Sequence, residues 1–173
     1  GARIVIVDSD ALKSDSRFVY VENSLTALQE LAKHHFAQMP CKKIIVGGSN
    51  GKTTTKEVSR TVLSAAGITL ATPGNWNNHI GVPLTLLSVT PAHEYAIIEL
   101  GTNHPGEMKV LCDLISPDAG IITNIGKEHL EGFGDIETVA KEESEVYLRL
   151  MSNHGLAIVN IDDDWLNSMK KRL

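Results

Sequence analysis

Apolar positions along this chain switch repeatedly between two patterns. Short runs of β-branched residues alternate with stripes spaced by three and four. RIVIV (3–7) and FVYV (18–21) read as strands. Asn23 or Ser24 is placed to cap a helix whose stripe is Leu25, Leu28, Leu31, Ala32 and Phe36, with Pro40 after its end. KKIIVG (42–47) predicts a buried strand, followed by a glycine-rich turn and a helix from 52 to 66 that stops at Gly67. ITLA (68–71), YAIIEL (95–100), AGIITNI (119–125) and GLAIVNI (155–161) predict four more strands. A helix starting at Pro105 and reaching Ile115, and another capped by Asp135, lie between them. In that last helix Ile136, Val139, Ala140, Val146, Tyr147 and Leu150 form the apolar face. Glu143 falls on the same face, where a carboxylate is costly without a partner.

The alternation predicts an α/β fold, a mostly parallel sheet with helices on both faces and right-handed crossovers. A boundary is expected near Pro40. Residues 1–39 hold too few elements to bury a core alone and are expected to end a preceding unit; 40–173 form a second. The charged end DDDWLNSMKKRL follows directly on a strand, so the chain is expected to be part of a larger fold.

Composition narrows the class. A length of 173 residues allows one domain with a full core, and 42% hydrophobic with 21% charged residues is ordinary for a globular protein. A net charge of −5 argues against a general nucleic-acid binder but leaves room for a local anion site. Cys41 and Cys112 make no ladder and no paired motif, which fits a reducing compartment. No apolar run approaches the roughly 20 residues of a membrane helix, and GARIVIVDSD has no basic start with an apolar core behind it. A cytoplasmic monomer, away from membranes, is expected.

The strongest local signal is IIVGGSNGKTTTKE (44–57), a strand, a glycine turn and a helix start in the order a phosphate-binding loop requires. Gly47, Gly48 and Gly51 allow backbone N–H groups to converge, and the helix N-terminus adds partial positive charge. Lys52 is placed to reach β- and γ-phosphates and Thr53 to hold Mg²⁺. The common spacing is not met, because Val46 stands where its first glycine belongs. Ligands of open parallel sheets lie beyond the carboxyl ends of the strands. Glu99, Asn103 and His104 follow one strand, Asn124 and His129 another, and Asn75, Asn77, Asn78 and His79 fill a loop. A Glu, a His and the loop Thr could share a hard cation bridged by phosphates. Each has a plainer reading: a paired carboxylate, an exposed histidine, or asparagines serving turn chemistry. Cys41 and Cys112 read as small buried hydrophobes, and Asp162 to Asp164 as a turn.

In this order the segments GSNGKTTTKE (48–57), GNWNNHIGVPLTLL (74–87), IIELGTNHPGE (97–107) and TNIGKEHLEGFG (123–134) resemble the Mur ligase family. They are most similar to the branch that joins D-Ala-D-Ala to UDP-MurNAc-tripeptide. The resemblance implies an ATP-dependent amide ligase of peptidoglycan precursor synthesis, working through an acyl phosphate. It implies that residues 1–39 end a substrate-binding domain and 40–173 begin the central ATP-binding domain. Gly48, Ser49, Asn50, Gly51, Lys52, Thr53 and Thr54 would then bind the nucleotide. Thr53 and Glu99 would bind one Mg²⁺ and His129 a second. Asn77, Asn78, His79, Asn103 and His104 would meet the substrate. Lys52, Glu99, His129 and Glu143 would form the catalytic set. The family commonly carries a carbamylated lysine where this chain has Glu143, so the resemblance implies a carboxylate encoded directly. Adenine and acceptor contacts would lie outside the chain, which is therefore expected not to ligate alone. Other readings are a nucleotide-binding module without ligation and a ligase like folylpolyglutamate synthase; the NHPGE and HLEGFG motifs argue against the latter.

Overall fold

A computed structural model describes residues 2–13, 15–127 and 130–169. Five strands form one parallel sheet: β3 (Lys42–Gly47), β4 (Thr69–Ala71), β5 (Tyr95–Glu99), β6 (Ala119–Ile122) and β7 (Leu156–Val159), in the order β4-β5-β3-β6-β7. Two short parallel strands, β1 (Val5–Val7) and β2 (Phe18–Tyr20), make a separate pair. The helices are α1 (Ser24–Ala37), α2 (Lys52–Ser64), α3 (Gly81–Leu87), α4 (Glu107–Ile115), α5 (Leu130–Phe133), α6 (Ile136–Ser152) and α7 (Asp164–Met169).

Strand order fixes the layers. The crossover from β3 to β4 runs one way along the sheet; those from β4 to β5, β5 to β6 and β6 to β7 run the other. Right-handed connection places α2 on one face and α3, α4 and α6 on the opposite one. The packing agrees: α2 lies against β3, β4 and β5, while α4 packs on α3 and α6. Chains leaving β3 and its neighbour β6 therefore run to helices on opposite faces, and the carboxyl ends of such strands are where open parallel sheets take their ligands.

Most expected elements form, with local differences. Asn23 caps α1, accepting from Thr26 N at 2.8 Å, and Asp135 caps α6, accepting from Thr138 N at 2.7 Å. Leu31, assigned to the buried stripe of α1, is 48% exposed; Ala32 and Phe36 carry the burial. They share a core with Ile45, Leu86 and Ile98, and α1 packs on α3 and α4. β6 ends at Ile122 rather than 125, because residues 123–126 turn away to hold the loop after β3. α4 starts at Glu107, not Pro105, because Gly106 has φ 91°. The segment GVPLTLL, directly after the asparagine loop, forms α3, and α7 is a further short helix. Asp163 begins α7, accepting from Leu166 N at 3.0 Å and Ile125 N at 2.9 Å, the structural role expected of that acidic run. Cys41 and Cys112 are buried and free, and burial pushes the Cys112 thiol far up, as a packed hydrophobe. No helix among the described residues is long and apolar enough to cross a membrane.

Candidate functional site

The loop from Gly47 to Gly51 is held from β6. Ser49 N donates to Asn124 O at 2.9 Å. Asn50 N donates to Asn124 Oδ1 at 3.1 Å, and Asn124 Nδ2 returns a bond to Asn50 O at 2.9 Å. Thr123 Oγ1 donates to Asn50 O at 2.6 Å, and Gly126 N to Ser49 Oγ at 2.7 Å. This clamp gives Asn124 a defined task. Gly48 has φ +110°, and a Cβ there would lie 2.3 Å from Thr123 Oγ1 and 2.7 Å from Thr123 N. Gly48→Ala is expected to destabilise the chain by about 2 kcal/mol or more, since strain at positive φ adds to that clash; urea unfolding measures it. Lys52 donates back to the carbonyls of Gly48 and Ser49, the latter at 3.1 Å. Thr53 and Thr54 occupy the first turn of α2.

The misplaced acid of α6 ends at this loop. Glu143 is 3% exposed, and its Oε2 accepts from Gly48 N at 2.7 Å. A Cβ on Gly47 would come within 2.8 Å of the same oxygen, so the glycine admits the carboxylate. Glu143 is thus not a surface residue beside Lys141.

Glu99, at the end of β5, is 1% exposed. Its Oε1 accepts from Asn77 Nδ2 at 3.0 Å and from Thr53 Oγ1 at 3.3 Å. Lys56, fully buried on α2, places its ammonium 3.3 Å from Oε2 and donates to Gly74 O at 2.7 Å. No described donor makes an aligned hydrogen bond to Oε2, so the Lys56 contact is Coulombic rather than directional. Thr53 and Glu99 meet as the sequence predicts. A carboxylate beside a hydroxyl is a hard oxygen pair, the chemistry that suits Mg²⁺. Among the described residues no three His, Cys, Asp or Glu side chains gather as a metal group. His129, the expected third ligand, lies outside the described residues.

A cleft of about 350 Å³ lies beside this centre, lined by Asn78, His79, Asn103, His104, Glu107 and Leu111. Four of the five expected substrate residues line it, and Asn77 turns instead to Glu99. Asn78 also opens α3, accepting from Gly81 N at 2.9 Å. Burial raises the Glu107 carboxyl, but the N–H groups of Asn103 and His104 and the His104 ring outweigh it and hold it below its ordinary 4.5. Glu107 therefore stabilises the fold fully above about that pH, and the contribution is lost as pH falls through the lowered folded value. The stability gap between this chain and Glu107→Gln is expected to shrink between pH 6 and pH 3, followed by urea unfolding. A larger cavity of about 510 Å³, between α6 and α7, contains none of the residues of the centre.

The description Mur ligase middle domain matches residues 46–173. The chain belongs to the Mur ligase family. It is 44% identical over 168 residues to the UDP-N-acetylmuramoyl-tripeptide–D-alanyl-D-alanine ligase of Escherichia coli K12, covering 96% of this chain and 37% of that one. The crystal structure of MurF ligase from Thermotoga maritima in complex with ADP is 32% identical and superposes with TM-score 0.91, covering 99% of this chain and 40% of that one. A folylpolyglutamate synthetase from Helicobacter pylori shares the fold, at 12% identity and TM-score 0.53 over 79% of this chain and 48% of its own. The chain spans less than two fifths of the length of the E. coli relative.

Two residues of this member of the Mur ligase family carry signals that motif reading passes over. Lys56 lies one turn beyond Lys52 on the inward face of α2, a buried cation matching the buried anion of α6. Glu142 is buried beside Glu143, and its partners lie 34 to 36 residues away in sequence, beyond any local pattern.

Proposed function

We propose that this chain is the nucleotide-binding portion of an ATP-dependent ligase joining D-Ala-D-Ala to UDP-MurNAc-tripeptide. The observation that carries the reading is the meeting of Thr53 and Asn77 with the buried pair Glu99 and Lys56 beside a clamped glycine loop. The name of the E. coli relative supplies the substrates, and the ADP in the Thermotoga maritima structure supports ATP. Residues 1–39 would close the substrate-binding domain, and 40–173 would begin the central ATP-binding domain. α1 would then be the piece by which the first docks on the second, since it shares the second unit's core.

In the loop from Gly48 to Thr54 the N–H groups of Gly48, Ser49 and Asn50 are held by Glu143 and Asn124, so the phosphates of ATP would meet the N-terminus of α2, from Gly51 to Thr54. Lys52, which donates to its own loop carbonyls, would turn its ammonium to the β- and γ-oxygens. Thr53 and Glu99 would hold Mg²⁺, and His129 a second ion. The metal would supply neutralisation of phosphate charge. Asn77 aims Glu99, and Lys56 balances it. Glu143 presents its carboxylate to the same loop, at the position where the family resemblance implies a carbamylated lysine. Asn78, His79, Asn103 and His104, which line the cleft, would align the tripeptide's carboxylate. That carboxylate takes the γ-phosphoryl group, giving acyl phosphate and ADP. The amine of D-Ala-D-Ala then forms the amide and releases phosphate. Catalysis here is positioning and charge neutralisation between anions. The whole enzyme would be a cytoplasmic monomer, with both cysteines reduced.

The 173-residue chain is expected to bind Mg·ATP and to release no ADP with both substrates present, followed by calorimetry and a coupled ADP assay. Lys52→Ala is expected to weaken that binding at least 10-fold. Binding unaffected by Lys52→Ala, or full turnover by the chain alone, contradicts the reading.

A further inference from the structure

Segment 103–108 forms one wall of the 350 Å³ cleft, and its backbone N–H groups can be accounted for completely. Asn103 N and His104 N donate to Glu107 Oε2 at 2.7 and 3.2 Å. Residue 105 is proline and has no N–H. Glu107 N donates to His104 O at 3.4 Å. Gly106 N donates to Glu142 Oε2 at 2.8 Å and Met108 N to Glu142 Oε1 at 2.6 Å. The N-cap of α4 is Gly106, which has no side chain to cap its own helix. The cap arrives from α6 instead, as a carboxylate 6% exposed. An anion at this position is favoured by the dipole of the nine-residue helix. α5 closes the segment from outside, since a Cβ on Gly132 would lie 2.1 Å from Asn103 O.

The neighbouring residue of α6, Glu143, binds Gly48 N in the loop after β3. Successive carboxylates of one helix thus hold two loops at the carboxyl ends of β3 and β5. We propose that Glu142 is a positioning residue that holds the cleft wall at α4 in register with the phosphate loop, so that Asn103 and His104 meet the substrate from a fixed backbone. The proposal rests on the ligase reading for the identity of that substrate, but not for the hold itself. A second consequence follows from the same bonds. With Gly106 N and Met108 N both taken, the N-terminus of α4 is closed to an external phosphate or carboxylate, and recognition falls to the exposed side chains of Asn103 and His104.

Glu142→Gln keeps the volume but turns an NH₂ toward one of the two N–H groups. Amide exchange in the 173-residue chain is expected to speed up at least 10-fold at Gly106 and Met108, with Gly48, held by Glu143, unchanged. Unchanged exchange at Gly106 and Met108 overturns the hold, whatever the enzyme does. In the complete ligase the same variant is expected to raise KM for UDP-MurNAc-tripeptide about 10-fold and to leave KM for ATP within about 2-fold. Equal rises in both, or faster exchange with neither KM moved, overturns the role in substrate positioning. Glu142→Asp, too short to span both donors, is expected to behave like Glu142→Gln; recovery of both readouts in it contradicts the two-point hold. A complete ligase that turns over other substrates, with the exchange result intact, counts against the ligase reading alone.

Discussion

Lys56→Met is expected to destabilise the chain by about 3–5 kcal/mol, the range for removing one partner of a buried ion pair. Methionine keeps the length of the side chain and fills most of its volume, so packing loss is minor. What changes is charge. Glu99, 1% exposed, keeps two neutral donors, Asn77 and Thr53, and loses its buried cation. Gly74 O loses its 2.7 Å donor as well. For a chain of this size the melting temperature should fall by about 6–20 °C. Pairing Lys56→Met with Glu99→Gln removes both charges and should recover most of the loss, since the penalty lies in the uncompensated charge rather than in the absent bond. A single-variant loss under about 1 kcal/mol, or a double variant no better than the single, shows that the pair is not formed. The exposed partner of Lys56, Glu57 at 3.4 Å, cannot substitute, because surface pairs contribute little.

Glu143→Gln separates structure from charge at the phosphate loop. The amide oxygen can still accept from Gly48 N, so that bond is kept while the charge is lost. Loss of the negative charge is expected to lower kcat of the complete ligase on the order of 100-fold, the scale for removing one charge-stabilising group from a transferring centre. The Mg²⁺ concentration needed for half-maximal rate should rise in parallel. Glu143→Lys with bicarbonate extends the comparison: rate recovered by carbamylation would show that an anionic head at this position is what the site requires. Wild-type kcat and metal dependence in Glu143→Gln would reduce Glu143 to a support for Gly48.

How far the chain could be read without coordinates depends on the range of each interaction. The β3–loop–α2 unit was legible because its strand, glycines and helix start are contiguous. Glu143 was legible as an anomaly because the period of α6 placed it inward; that it reaches Gly48, 95 residues earlier, needed the fold. Lys56 carried the same type of signal on α2, masked there by a short stripe whose neighbours Val58 and Val62 face outward. α3 stayed hidden because asparagines, glycine and proline before it read as turn chemistry, and seven residues are too few to set a period. Glu142 stands in a charged run, KEESE, that shows no period of its own. Its partners are backbone N–H groups on another helix, which no residue pattern displays.

Phosphates and metal are expected to meet where β3, β5 and β6 end. A crystal structure of this chain with a non-hydrolysable ATP analogue and Mn²⁺, read by the anomalous signal of the metal, tests it most directly. The expected result is β- and γ-phosphates on the N–H groups of residues 51–54, the Lys52 ammonium moved onto them, and a metal peak in contact with Thr53 Oγ1 and Glu99. Phosphates seated outside the β3–α2 loop, or a metal peak away from Glu99, would contradict it.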